Sequence, residues 1–104
     1  MQRSEVWWAR LPNPAGFRPV LLLTRNSAYG NRTHVTVAPL TRSGRRIRSH
    51  VPIGPEDGVP QPGVVNLDDI QTMPIAQLVR RITVLSDERM AEVEQAIKFA
   101  LAIP

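Results

Sequence analysis

Two apolar runs separated by one polar connection constrain this chain more than anything else in it. The first is Phe17-Arg18-Pro19-Val20-Leu21-Leu22-Leu23-Thr24, with four large aliphatic side chains in a row. The second is His34-Val35-Thr36-Val37-Ala38-Pro39-Leu40-Thr41. Four consecutive aliphatics bounded by turn residues are far too few for a bilayer and read as a strand buried on both faces. Between the runs, Asn26 to Thr33 holds two asparagines and a glycine, which is turn chemistry. A connection of ordinary loop length lets the two strands pair antiparallel. The beginning of the first then lies beside the end of the second. Arg18 and Thr41 become neighbours at the rim of the core, a guanidinium and a hydroxyl each mounted on a strand end.

The rest of the chain supplies short strands, tight turns and one helix. Ser4 to Leu11 has strand composition, with Val6, Trp8 and Arg10 on one face and Glu5, Trp7 and Ala9 on the other. Adjacent tryptophans therefore point opposite ways, one to anchor the core and the other to a groove, a subunit interface or a second part of the core. Leu11 to Phe17 is a loop by its proline and glycine content. Thr41 to Arg48 carries four arginines around a Ser-Gly turn, the densest positive patch in the chain and otherwise a solvated hairpin tip. Ile47 to Ile53 reads as a strand, Gly54 to Gly63 as an acidic, turn-rich segment, and Val64 to Ile70 as a strand with polar insertions. Asn66 and Asp68 share a face of that strand. They are site candidates, or they bond locally to fix a neighbouring loop. Met73 to Leu78 suits one helical turn, and Arg81 to Leu85 a last strand. Ser86 is a good N-cap, with Asp87 and Glu88 in the first turn of a helix running to about Leu101. Met90, Val93, Ile97 and Leu101 form its apolar stripe. The expected architecture is one domain, residues 1–104, mainly β: a small antiparallel barrel of five or six strands capped by a C-terminal α-helix.

Charge is distributed unevenly. Residues 1–52 hold nine arginines against one acid, a net +8, whereas residues 53–104 carry a net −4. Twelve of the thirteen basic residues are arginine, whose planar fork grips phosphate and stacks on bases. Such a half-chain suits a polyanion; GC-rich coding would also favour arginine over lysine. The chain has no cysteine, which excludes disulfides and thiolate metal sites and makes a reducing cytoplasm the default. No apolar leader and no membrane span are expected. His34 and His50 lie sixteen residues apart, and no cluster has metal-ligand spacing, so neither metal nor cofactor is expected. A pair of histidines acting as base and acid is conceivable, but each also reads as an ordinary strand residue.

Several stretches taken together resemble a known family. They are Glu5-Val6-Trp7-Trp8, Pro14-Ala15-Gly16-Phe17-Arg18-Pro19-Val20-Leu21-Leu22-Leu23, Val37-Ala38-Pro39-Leu40-Thr41, Val64-Val65-Asn66-Leu67-Asp68 with Gln71-Thr72, and Leu85-Ser86 before the helix. In order and spacing they are similar to the MazF/PemK/Kid toxins of toxin–antitoxin modules. The resemblance implies an SH3-like barrel of the PemK type and a homodimer that cuts single-stranded RNA without metal, leaving a 2′,3′-cyclic phosphate and a 5′-hydroxyl. It also implies an antitoxin whose acidic tail covers the RNA groove. By position it makes Arg18, Thr41 and Asp68 the catalytic residues. Gly16, Phe17, Arg42 and Ser43 are expected to contact RNA, as are Arg45, Asn66 and Gln71. Asn66 stands where one branch has a second arginine, and that branch's loop histidine has no counterpart between Pro12 and Phe17.

Physical chemistry permits this mechanism. Attack by a ribose 2′-hydroxyl builds negative charge on the phosphoryl oxygens, which a fixed guanidinium stabilises where it develops. Arg18 suits that role better than proton donation. Thr41 orients the phosphate or the 2′-hydroxyl into line. Asp68, Glu5, a histidine or water remain as possible bases, and the Leu11–Phe17 and Thr41–Arg48 loops would select the RNA. The alternatives are a non-catalytic binding toxin on the same barrel, poisoning gyrase for example, and a peptide-binding adaptor.

Overall fold

The computed structural model describes residues 1–12, 14, 16–43 and 45–104. Asn13 and Ala15 of the Leu11–Phe17 loop, and Gly44 of the Ser-Gly turn, lie outside them.

Among the described residues, seven antiparallel strands and one α-helix follow in chain order: β1 Glu5–Leu11, β2 Gly16–Leu22, β3 His34–Thr41, β4 His50–Ile53, β5 Gly63–Asn66, β6 Gln71–Pro74, β7 Leu78–Val84 and α1 Asp87–Ala100. The sheet runs β4-β5-β3-β2-β1-β7, and β6 pairs with β3 beside it. β3 divides one edge between two partners. Its first half, His34 to Val37, pairs with β6, and its last two residues pair with β5.

The aliphatic run is buried on both faces. Leu21 and Leu23 join a core with Val6, Ala38, Leu40 and Val65. Val20 and Leu22 join a second one with Ala9, Val35, Val37 and Met73. Because the first core draws on β1 to β5 and on α1 together, the ladder curls round it, as a small barrel requires. Helix α1 seals that core with Met90, Val93 and Ala96, and Ser86 caps it by accepting the Arg89 N–H at 3.1 Å. The fold is the mainly β barrel with a C-terminal helix that the sequence implies. Among the described residues no helix is long and apolar enough to cross a membrane.

Several element boundaries differ from the sequence reading, each for a physical reason. The described residues form seven strands rather than five or six. The fourth begins at His50 rather than Ile47, because the His50 N–H bonds back to the Ile47 carbonyl at 3.0 Å and closes a turn there. The strand read as Val64 to Ile70 ends at Asn66, whose side-chain oxygen accepts the Asp68 N–H at 2.9 Å. That local bond turns the chain, as Asx chemistry does. The helical turn read at Met73 to Leu78 is split into the end of β6 and a single 3₁₀ turn, Ile75–Gln77. The last strand begins at Leu78, because β1 pairs with it as far as Ala9. Leu101 lies beyond the helix and is exposed, whereas Ala96 joins Met90 and Val93 in the core, with Ile97 and Ala100 packed against it.

Candidate active site

The site opens where two strands part. β2 and β3 pair at Leu22↔Val37, Leu21↔Ala38 and Val20↔Pro39, and the ladder stops there. The Leu23 N–H donates to the Thr36 carbonyl, so every second residue of β2 back from Leu23 faces β3; Pro19 is one of these, and without an N–H it cannot donate across the gap. Beyond that point β2 continues against β1 to Gly16, and β3 continues against β5 to Thr41. The register, extended two residues, sets Arg18 opposite Thr41. The gap between the diverging strands is a cleft of about 500 Å³.

Arg18 and Thr41 both line this cleft, with Phe17, Arg42 and Ser43 beside them. The Thr41 hydroxyl lies 3.3 Å from the Ser43 hydroxyl and accepts the Ser43 N–H at 3.4 Å. Trp8 forms part of the floor, whereas Trp7 packs against the second core and donates its indole N–H to Glu5 at 2.8 Å. The two tryptophans thus face opposite ways, as alternation along β1 requires. Among the described residues the lining of this cleft contains arginines but no carboxylate and no imidazole.

The other candidates fall into two further groups. Gly16 and Gln71 line a second cleft of about 700 Å³, which shares Phe17 with the first; Arg10 covers the Phe17 ring with its guanidinium 5.1 Å from the centroid. Arg45, Asn66 and Asp68 gather at β4 and the turn after β5. There the Asp68 carboxylate accepts from the Ser49 hydroxyl at 2.6 Å, and the Arg45 N–H donates to His50 Nδ1 at 3.1 Å. None of these three residues lines the Arg18–Thr41 cleft. The other base candidates are also elsewhere: Glu5 is buried between Trp7 and Arg81, and His34 is exposed beside Thr33. Among the described residues no three or more His, Asp or Glu side chains could share a metal ion.

Sequence reasoning passed over the far wall of the cleft. Val59, Pro60, Gln61 and Pro62 form it, in a stretch recognisable only as turn-rich. A polar residue held between two prolines, Pro60-Gln61-Pro62, is the signal that was present: a stiff backbone presenting one amide side chain.

Gly63 ends this wall at a close approach. A Cβ there would lie 2.5 Å from the Thr41 carbonyl oxygen and 3.2 Å from its carbon, and a backbone neighbour cannot swing aside. Gly63→Ala is therefore expected to lower stability by ~1–3 kcal/mol, as overpacking does. It should also displace Thr41 and slow any reaction in the cleft. Thermal melting and activity measured on the same preparation check both.

Comparison with known proteins shows the family. The profile of a family described as PemK-like, MazF-like toxin of type II toxin–antitoxin systems matches residues 2–101. This chain belongs to that toxin family. Among its curated relatives is the probable endoribonuclease MazF2 of Mycobacterium tuberculosis, 40% identical over 99 residues that span 94% of this chain and 95% of the relative. Among solved structures, the Mycobacterium tuberculosis toxin MazF-mt6 matches with a TM-score of 0.88 at 35% identity, covering 96% of this chain and 98% of that one. An endoribonuclease in complex with its cognate antitoxin, from a mycobacterial species, matches with a TM-score of 0.90 at 27% identity, covering 100% and 97%. In this PemK/MazF-family chain, the parted strands and their arginine-lined cleft are the features to which an activity can be attached.

Proposed function

We propose that this protein is the toxin of a type II toxin–antitoxin pair and an endoribonuclease that cuts single-stranded RNA in the cytoplasm. The observation that carries the reading is the facing pair Arg18 and Thr41 across a cleft opened between two strands, in a chain with a positive first half. Family membership and endoribonuclease relatives matched over nearly the whole chain support it.

In this reading a ribose 2′-oxygen attacks the neighbouring phosphorus and the bond from phosphorus to the 5′-oxygen breaks. The products are a 2′,3′-cyclic phosphate and a 5′-hydroxyl. Arg18 stabilises the charge that gathers on the phosphoryl oxygens. Thr41, held by Ser43, orients the scissile group. Asp68 does not line the cleft, so we assign the 2′-hydroxyl proton first to a water there and then to the Asp68 carboxylate, which is about half exposed beside the basic loop while Glu5 is buried. Arg42, Ser43 and Arg45 grip backbone phosphates, Phe17 stacks on a base, and Gly16, Asn66 and Gln71 contact the flanking nucleotides. The Arg18 guanidinium supplies the charge a metal would otherwise supply, so cleavage proceeds in EDTA. The working form is a homodimer, and an acidic antitoxin segment blocks the same arginine-lined surface.

The test is purified protein incubated with mixed cellular RNA in EDTA, with new 5′ ends mapped by sequencing. Discrete 5′-hydroxyl ends at a recurring short sequence are expected. Intact RNA together with growth arrest in cells expressing the protein would overturn the ribonuclease reading in favour of a toxin that acts by binding.

A further inference from the structure

The imidazole of His50 makes contacts that the reaction sketched above does not use. Its side chain is only 10% exposed, although it stands next to the most positive loop of the chain. Nδ1 accepts the Arg45 backbone N–H at 3.1 Å. A ring nitrogen that accepts carries no proton, so the proton of the neutral ring lies on Nε2. Nε2 faces the Asp68 carboxylate, 3.8 Å from the same oxygen that accepts the Ser49 hydroxyl at 2.6 Å. Asn66, the ladder partner of His50, accepts the Asp68 N–H and holds the turn on which that carboxylate sits. One side chain therefore touches both the backbone of the basic loop and the acid. The loop has a second fastening, the Arg48 guanidinium over the Phe99 ring of α1 at 4.3 Å, but that one fixes only its far end.

We propose that His50 is a positioning residue with two separable duties: Nδ1 holds the basic loop in register at Arg45, and Nε2 steers the Asp68 carboxylate. The proposal rests on the ribonuclease reading. The loop sets how firmly RNA is gripped, and the carboxylate sets how fast the bound RNA is cut.

The two duties can be separated by substitution. An asparagine amide reaches about as far as Nδ1 and a glutamine amide about as far as Nε2, and both can accept or donate. His50→Asn keeps the loop anchor and loses contact with Asp68. His50→Gln does the reverse, and His50→Ala loses both. Kinetics are measured with an RNA oligonucleotide carrying a cut site mapped for the unaltered protein. His50→Asn is expected to keep KM and lower kcat about threefold, the size of a loose contact to a half-exposed carboxylate. His50→Gln is expected to raise KM about tenfold with kcat nearly kept. His50→Ala is expected to show both changes. Amide hydrogen exchange at Arg45 provides a readout independent of cleavage: protected in the unaltered protein and in His50→Asn, fast in His50→Gln and His50→Ala.

Unchanged kinetics in all three variants would overturn the proposal. So would equal losses in the asparagine and glutamine variants at an unchanged melting temperature. Loss of the fold in all three would reduce His50 to a structural residue and overturn it as well. If the unaltered protein cuts no RNA, the ribonuclease reading fails first, and exchange at Arg45 still decides whether the loop anchor exists.

Discussion

Arg18→Ala is expected to lower the rate of RNA cleavage about 10²–10³-fold, the usual cost of removing one fixed donor from a site where negative charge develops. The fold should be unaffected. Arg18 is exposed on the part of β2 that has left β3, and both cores lie deeper in the sheet. The melting temperature should therefore stay within a few degrees of the parent, consistent with surface substitutions costing within about 0.5 kcal/mol. Arg18→Lys separates charge from geometry. A lysine keeps the charge but lacks the planar fork that meets two phosphoryl oxygens at once, so it should recover only part of the rate. Thr41→Ala should cost less than Arg18→Ala, since a hydroxyl that orients contributes less than a full charge that stabilises. Single-turnover cleavage of one labelled RNA by the four proteins checks the order: parent, then Thr41→Ala, with Arg18→Ala slowest. Parent-like cutting by Arg18→Ala would remove the assignment.

Asp57→Ala should have the largest effect on stability. Asp57 sits in the turn between β4 and the cleft wall, with a side chain only 9% exposed. It receives Arg89 of α1 through two bonds, Nε to Oδ1 at 3.1 Å and Nη2 to Oδ2 at 3.3 Å. It also accepts the Gly54 N–H at 3.0 Å, and its carbonyl accepts the Thr83 hydroxyl at 3.1 Å. The Asp57 hydrogen bond holds the Arg89 guanidinium above the ordinary arginine value. That contribution is fully present below the ordinary value and is lost only as pH climbs through the raised one. Removing the carboxylate strips a partly buried guanidinium of its main partner and orphans a buried N–H. A loss of ~3 kcal/mol is expected, at the lower end for a broken buried pair because Glu92 still reaches Arg89. For a domain of this size that corresponds to a fall of ~12–24 °C in melting temperature. Asp57→Asn keeps an oxygen for Gly54 and should lose about half as much. Differential scanning calorimetry on the three proteins tests both statements. Activity should fall with stability, because the wall from Val59 to Gly63 follows directly after this anchor.

How far these features could be read from the sequence depends on how local their causes are. The pairing of β2 with β3, and with it the meeting of Arg18 and Thr41, was legible because an unbroken aliphatic run and a nearby second run leave little choice of partner. The helix was legible from its serine cap and apolar spacing. β6 was not: it has four residues including a proline, and only the free half of the β3 edge makes it a strand. The end of β5 was not legible either, since alternation cannot show that Asn66 bends back on Asp68. Nor could the cleft wall be placed, because its anchor joins Asp57 to Arg89, 32 residues away on another element. That Asp68 lies outside the lining of the Arg18–Thr41 cleft was hidden for the same reason: both were recognised as single residues, but β5 stops at Asn66 and Asp68 sits in the turn beyond it.

Pro19 denies β2 and β3 the next rung of their ladder, and this bears on how such a molecule can diversify. The opening is written into covalent chemistry, so it needs neither a bound ligand nor a hinge to maintain it. The surrounding loops can then be exchanged, lengthened or recharged to suit a different nucleotide string without rebuilding the jaw that severs it.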